Sequence, residues 1–201
     1  MEKVLFLHGN VMADDKSISN QLEKRFLELY ALKHPSAEIE VIDLDQTKLA
    51  EVFLTKETLK DMKYYKEVDS DFWIEKLKQV NSVVISCPMI NFGPSAIVKN
   101  FIDAICVANK TFSYKYSKKG DAIGLLDHLK VMILTTQGAP ADWYPWGSHV
   151  KWLEGTWKFL GAQKVESILI GGTKLADVSS LSASEIVKLH DAEIEDKVAK
   201  F

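Results

Sequence analysis

Three short stretches of this sequence carry side chains and backbone groups suited to holding one ligand. The first is Ser17-Ile18-Ser19-Asn20, which opens a segment with helical spacing of apolar residues. Serine hydroxyls beside the unpaired N–H groups of a helix start, at the positive end of its dipole, can take a phosphate without a lysine. Ser17 acting only as an N-cap explains the same residues. The second is Met89-Ile90-Asn91-Phe92, held between Pro88 and the pair Gly93-Pro94. Pro88 fixes φ and lacks a donor, Gly93 admits an unusual backbone angle, and Pro94 suits the first turn of the helix that follows. So stiff a turn would offer backbone groups, an amide and apolar surface to a flat heterocycle, or would be a plain strand-to-helix corner with Phe92 in the core. The third, Thr136-Gln137-Gly138-Ala139, supplies small residues and a glycine where a ring edge can approach the backbone.

Other chemistry is harder to build. No GxGxxG follows the first strand and no GxxxxGK[ST] occurs, so neither an ordinary dinucleotide fingerprint nor a P-loop is present. His8, His34, His128, His149 and His190 lack metal-ligand spacing, with no carboxylate pair or GxSxG beside them, and surface or loop positions are expected for them. Cys87 and Cys106, the two cysteines, form no CxxC and have no partner histidine, which argues against a zinc site or a disulfide framework. Cys87 precedes a proline at an apolar strand end and reads as core. The aromatic run Trp143-Tyr144-Pro145-Trp146 either lines a pocket that stacks aromatic acceptors or anchors packing or a subunit contact. Trp152 and Trp157 follow at helical distances and read as packing. Residues 115–119 (KYSKK) read as a solvated hairpin turn whose lysines, near a cofactor rim, would also attract nucleotide phosphates.

These stretches need a scaffold, and the hydrophobic pattern supplies one. Apolar runs at residues 3–8 (KVLFLH), 39–44, 83–86 (VVIS), 131–135 (VMILT) and 165–170 (VESILI) are strands of a buried sheet. Helical periodicity covers residues 17–32, 72–80, 96–108 and 149–159, and a last helix starts at the capping box Ser182-x-x-Glu185. Residues 45–70 form an extra, partly helical insertion. Strands alternating with helices imply parallel crossovers. Five strands suit an open doubly wound sheet rather than a barrel, which usually needs about 250 residues. Ligands in such sheets bind beyond the carboxyl ends of the strands where strand order reverses, and all three stretches follow a strand there.

Composition narrows the partners. The chain has 201 residues, 47% of them hydrophobic, and no linker-like shift, so residues 1–201 are expected to form one domain. Basic and acidic residues, 25 and 28 of them, are interspersed, which gives no patch for nucleic acid or an anionic membrane. No run approaches the ~20 apolar residues of a membrane span, and the N-terminal apolar run is too short for a signal-peptide core, so a cytoplasmic location is expected.

A phosphate site on the first loop and a planar-ring site on the loops after the third and fourth strands together describe a flavin mononucleotide pocket. The chain resembles the FMN-dependent NADH-azoreductase family of flavodoxin-like NAD(P)H quinone reductases. The likeness runs through KVLFLHGN and SISNQL near the start, CPMINFGPSAIVKNFID at 87–103, TFSY at 111–114, LTTQGA at 134–139 and KFLGAQKVESILIGG from Lys158. Its most specific part is PMINF followed by a helix with Lys99 and Asp103.

The resemblance implies a flavodoxin-like α/β fold, a five-stranded parallel sheet with helices on both faces, and FMN as cofactor. It implies phosphate contacts at Ser17, Ile18 and Ser19, isoalloxazine contacts at Met89, Ile90, Asn91 and Phe92, and further ring contacts at Thr136, Gln137, Gly138 and Ala139. Where the family often has serines after the first strand, this chain has Gly9-Asn10, so Asn10 would have to supply that contact. The family's PMYNF tyrosine is Ile90. Its Ser-Arg-Gly-Gly reads Thr136-Gln137-Gly138-Ala139, which removes a cation near the flavin and bears on redox potential and substrate preference.

The implied activity is two-electron reduction of quinones and azo compounds by NADH or NADPH in a ping-pong sequence, with the flavin carrying the chemistry and no catalytic side chain. A homodimer is implied, with Phe112 approaching the active site of the partner subunit, although a plain β-strand core aromatic explains Phe112 too; the pocket reading of Trp143, Tyr144 and Trp146 would then supply the acceptor site. A flavodoxin-type electron carrier would dock through a strongly acidic face, whereas the acids here are balanced by lysines. A hydrolase of the acyl carrier protein phosphodiesterase type would need a nucleophile or metal constellation that the sequence does not display.

Overall fold

Alternation of apolar side chains along the strands builds two cores on one sheet. Val4 and Phe6 pack to one side while Leu5 and Leu7 pack to the other, and Val84 opposes Val83 and Ile85 in the same way. A strand buried on both faces must read as a continuous apolar run, which is why these segments were legible as strands. The computed structural model describes residues 1–12, 16–115 and 121–201.

Along the chain come β1 (Lys3–His8), α1 (Ile18–Lys33), β2 (Glu38–Asp43), α2 (Lys56–Leu59), α3 (Lys63–Glu67) and α4 (Ser70–Gln79), with short 3-10 turns before α2 and α3. Then follow β3 (Ser82–Ser86), α5 (Ala96–Ile105), the two-residue strands β4 (Phe112–Ser113) and β5 (Ile123–Gly124), and β6 (Lys130–Thr136). The chain closes with α6 (His149–Phe159), β7 (Lys164–Ile170), α7 (Ala183–Lys188) and α8 (Asp191–Lys200). The main sheet is parallel throughout and ordered β2-β1-β3-β6-β7. Residues of α1, α7 and α8 fill one core, and those of α4, α5 and α6 fill the other.

The sheet is built outward from β1, first to β2 and then, after the chain reverses, to β3. The loops after β1 and β3 therefore leave in opposite directions and open a crevice between them, where a ligand can sit against strand ends. Residues 45–70 fold as short turns and helices tied to α5: Tyr64 Oη donates to Asn100 Oδ1 at 2.7 Å, and Asn100 Nδ2 donates to the carbonyls of Leu49 and Val52, both at 2.7 Å.

Helix α5 ends at Ile105, three residues before the periodicity does. Thr111 Oγ1 donates to the Ile105 carbonyl at 2.6 Å, and Cys106 leaves helical geometry with ψ of 74°. Trp157 is fully buried and Trp152 packs against the same core, as their helical spacing indicates. Among the described residues, no helix is long and apolar enough to cross a membrane.

Candidate functional site

A cavity of ≈ 470 Å³ opens at the carboxyl ends of β1, β3, β6 and β7. Ser17, Ile18, Ser19, Met89, Ile90, Thr136, Gln137 and Gly138 line it, so the three sequence stretches do converge. Asn10, Asn91, Phe92 and Ala139 are not among its lining residues, nor are Phe112, Trp143, Tyr144 and Trp146.

At one end lies the start of α1. Ser17 is its N-cap, accepting from the Asn20 amide at 3.2 Å, so the capping role is real and coexists with exposure to the cavity. Within the helix the N–H groups of Ile18 and Ser19 have no intrahelical acceptor, a property of every first turn. No acidic residue stands in that turn to oppose an anion.

Asn10 is buried behind the serines. Its Nδ2 donates to Ser19 Oγ at 2.7 Å and to Asn20 Oδ1, with a longer contact of 3.4 Å to Ser17 Oγ, while its Oδ1 accepts from Met12 N at 3.0 Å. Asn10 thus occupies the acceptor side of the hydroxyls and leaves their protons to be donated elsewhere. Its neighbour Gly9 has no room for a side chain, because a Cβ there would lie 2.3 Å from Val98 Cγ2 and 2.4 Å from the Ser86 carbonyl. That crowding requires a residue without a side chain at position 9.

The ring-side loops continue the sheet before they diverge. Cys87 N donates to Leu134 O and Met89 N to Thr136 O, both at 2.9 Å. Beyond Met89 the chain makes its own tight turn: Ile90 and Gly93 exchange hydrogen bonds of 2.9 and 3.1 Å, with positive φ at Asn91 (47°) and Phe92 (71°). Positive φ at both central residues is the signature of a type I′ turn. The unusual angles therefore belong to Asn91 and Phe92, correcting the reading that placed them on Gly93; Asn tolerates that region, whereas Phe there is strained. Pro94 also stands outside the helix rather than in its first turn, since Ser95 is the N-cap of α5.

Phe92 is turned out of the core, 44% exposed, and meets Tyr144 at 5.3 Å and Trp146 at 4.7 Å between ring centroids. This open aromatic cluster stands beside the cavity loops, with Trp143 further exposed. Phe112 instead packs in β4 against Phe159 and Tyr114, at 4.9 and 5.6 Å, and touches the core of its own chain.

His128 is exposed, and His34 and His190 lie partly exposed at helix ends, as the surface or loop default expects, whereas His149 and His8 depart from it. His149 begins α6 and is 1% exposed, and burial pulls its pKa down to about 4, so it is neutral. His8, half-buried at the end of β1, pairs with Glu23 at 2.6 Å; that hydrogen bond, above the opposing effect of burial, holds its pKa above the ordinary value. The partner lies 15 residues away on α1, beyond any local pattern. Cys87 is buried, and burial pushes its thiol up to about 12, which excludes a nucleophilic role at neutral pH. Among the described residues, no group of three or more His, Cys, Asp and Glu could hold a metal ion. Of the lysine run, residues 116–119 lie outside the described residues.

The loop after β7 is the part of the site that the three stretches did not include. Thr173, Lys174, Ser179 and Leu181 line the cavity, with Ala183 and Ile186 of α7. The loop is stapled to the third stretch: Thr173 Oγ1 donates to Gln137 O at 3.1 Å and Lys174 N to Gly138 O at 3.0 Å. A Cβ on Gly138 would stand 2.9 Å from Lys174 Cγ, so this glycine makes way for the lysine stem. Gly171-Gly172, with φ of 73° at Gly172, repeats the strand-then-glycine pattern and was the available signal. Among the described residues, Lys16 and Lys174 line the cavity and no carboxylate does.

Comparison with known proteins agrees with this geometry. A family model described as the flavodoxin-like fold matches residues 2–196. The FMN-dependent NADH:quinone oxidoreductase of Mycoplasmopsis synoviae (strain 53) is 53% identical over 201 residues, covering all of both chains. The solved azoreductase from Bacillus anthracis str. Sterne superposes with a TM-score of 0.85 at 24% identity over the whole of both chains. An FMN-dependent NADH-azoreductase from Bacillus anthracis str. Ames Ancestor, solved in complex with FMN, gives a TM-score of 0.79 at 24% identity over 99% of each chain.

Proposed function

The chain belongs to the flavodoxin-like family that includes the FMN-dependent NADH:quinone oxidoreductases, and from that premise we propose that it is an FMN-dependent reductase of quinones and azo compounds, with NADH or NADPH as the electron donor. The observation that carries the reading is the composition of the cavity wall among the described residues: hydroxyl donors, Lys16 and Lys174, and apolar surface from Pro88, Met89, Ile90 and Leu181, with no carboxylate among them. A ligand with one anionic group and one flat apolar ring fits that wall, and FMN is such a ligand. FMN, when bound, supplies the two-electron redox chemistry, so no side-chain acid or base is needed.

The protein's part is to bind, orient and shield. Ser17 and Ser19 would donate their hydroxyl protons to the phosphate, joined by the first-turn N–H groups of Ile18 and Ser19, with Asn10 holding the hydroxyls in place from behind. Met89, Ile90, Asn91 and Phe92 would meet the ring on one side, and Thr136, Gln137, Gly138 and Ala139 on the other. Gly138 lets a ring edge come close to the backbone, and Lys174 beside it favours negative charge there. Phe92, Tyr144 and Trp146 form a platform on which a flat acceptor can stack, with Trp143 at its rim.

Donor and acceptor would use the same open face in turn, a ping-pong sequence. A second copy of the chain would cover that face, since the aromatic loop is large and exposed, and Phe112 would reach the acceptor pocket from the partner. The cytoplasm is the proposed location. Purified protein should sustain NADH oxidation when menadione is supplied. A single bleaching of the flavin by NADH with no turnover would make the chain an electron carrier instead.

A further inference from the structure

His149 does not line the cavity, yet it joins the roots of two loops that do. Its Nε2 meets Thr135 Oγ1, and that hydroxyl also contacts the Cys87 carbonyl at 2.7 Å. Thr135 immediately precedes the lining residues Thr136, Gln137 and Gly138, and Cys87 immediately precedes Pro88, Met89 and Ile90. A threonine hydroxyl has one proton. Because a carbonyl can only accept, that proton goes to Cys87 O, and His149 Nε2 must carry its own hydrogen and donate it to Thr135 Oγ1.

The geometry therefore assigns a neutral imidazole protonated at Nε2, as its burial also requires. Nδ1 is buried without a hydrogen-bond partner among the described residues. An aromatic hydrocarbon would fill this core position without that cost, so the imidazole is justified by the link it makes. The link sits where the backbone ladder between the strands runs out: Met89 N to Thr136 O is its last rung, and among the described residues the backbone of the turn at residues 90–93 bonds only to itself. It also fastens the start of α6 beneath both loops.

Building on the FMN reading above, we propose that His149 is a positioning residue: through Thr135 it fixes residues 88–90 against residues 136–138 so that both loops meet the ring together. Its effect falls on the ring end, because among the described residues the side-chain hydrogen bonds of Asn10, Ser17 and Ser19 run to one another, Asn20 and Met12 rather than to His149, Thr135 or Cys87.

The test uses the full-length chain freed of flavin and titrated separately with riboflavin and FMN, followed by flavin fluorescence and absorbance. The variants are His149→Phe, His149→Gln, Thr135→Val and the Phe/Val double variant. His149→Phe and Thr135→Val should each raise the riboflavin Kd roughly tenfold, the loss of about one hydrogen bond's effect. The FMN Kd should rise by the same factor, leaving the riboflavin-to-FMN ratio unchanged, and the bound flavin's visible band should change shape.

His149→Gln, whose amide can donate to Thr135, should recover most of the loss, and the double variant should be no worse than either single one. Unchanged riboflavin affinity and an unchanged band in both singles would overturn the proposal. So would a ratio that collapses along with stability, or both singles failing to fold, since His149 would then be a general support of the core. A wild-type chain binding neither ligand would remove the proposed function together with this inference. Wild-type binding with unaffected variants removes this inference alone.

Discussion

Replacing Ser17 by Gly and Ser19 by Ala separates the two duties of the α1 start. Ser17 is both the N-cap and a cavity residue; Gly is nearly as good a cap, costing only a few tenths of a kcal/mol, yet it has no hydroxyl for a phosphate. Ser19 is buried, and its hydroxyl accepts from Asn10 Nδ2, which keeps Asn20 Oδ1 as an alternative acceptor when Ser19 becomes Ala. The variant chain should therefore fold with little loss of stability. A hydroxyl donating to a charged group contributes about 1.5–3 kcal/mol, so each substitution should weaken FMN binding roughly 10- to 150-fold. The two hydroxyls lie 3.3 Å apart and share Asn10, so the double variant should fall short of the product of the singles. Fluorescence titration of the flavin-free chain measures this, with riboflavin as the internal control: its affinity should not move, because it has no phosphate. An FMN Kd unchanged in the double variant would refute the argument and leave the serines as parts of a helix cap.

Three further outcomes follow from the same structure. His8 has its pKa raised by Glu23, with Asp43 and Asp45 adding to the effect, so the pair's stabilisation is fully present below the ordinary value of 6.5 and is lost as pH rises through the higher folded value. The Tm difference between wild type and His8→Gln should therefore shrink from about pH 6 to about pH 9, and a difference constant over that range contradicts the pairing. Trp146→Ala, at a position 72% exposed, should raise the menadione KM several-fold without altering the FMN Kd; an unchanged KM removes Trp146 from the acceptor platform. If the site is completed by a second copy, mixing the FMN-deficient serine variant with a Phe112→Ala chain should restore activity through one hybrid site, whereas a fully active monomer in sedimentation would end that proposal.

The sequence disclosed the elements whose causes are local. Strands of the sheet centre are buried on both sides and so are apolar without interruption, as in residues 83–86. The Ser182 capping box forms as its spacing indicates, with Ser182 N donating to Glu185 Oε2 at 2.8 Å and Glu185 N to Ser182 Oγ at 3.3 Å. Cap and cavity residues at Ser17 and Ser19 were legible for the same reason. What stayed hidden depends on residues distant in the chain. The positive φ values fall on Asn91 and Phe92 because residues 90 and 93 bond to each other, which no single-residue preference announces. His149 looks like any helix-start histidine until Thr135 and Cys87 arrive above it. Lys174 became a cavity residue only through the β6–β7 pairing, which sets its loop against Gly138.

The most direct measurement is the identity of the flavin that the purified chain holds. The hydroxyl-lined start of α1 provides for one phosphate group, so heat should release FMN, identified by its mass, in about equimolar amount to the chain after saturation and removal of excess. Release of FAD, or a folded chain that takes up no flavin at all, would contradict the account.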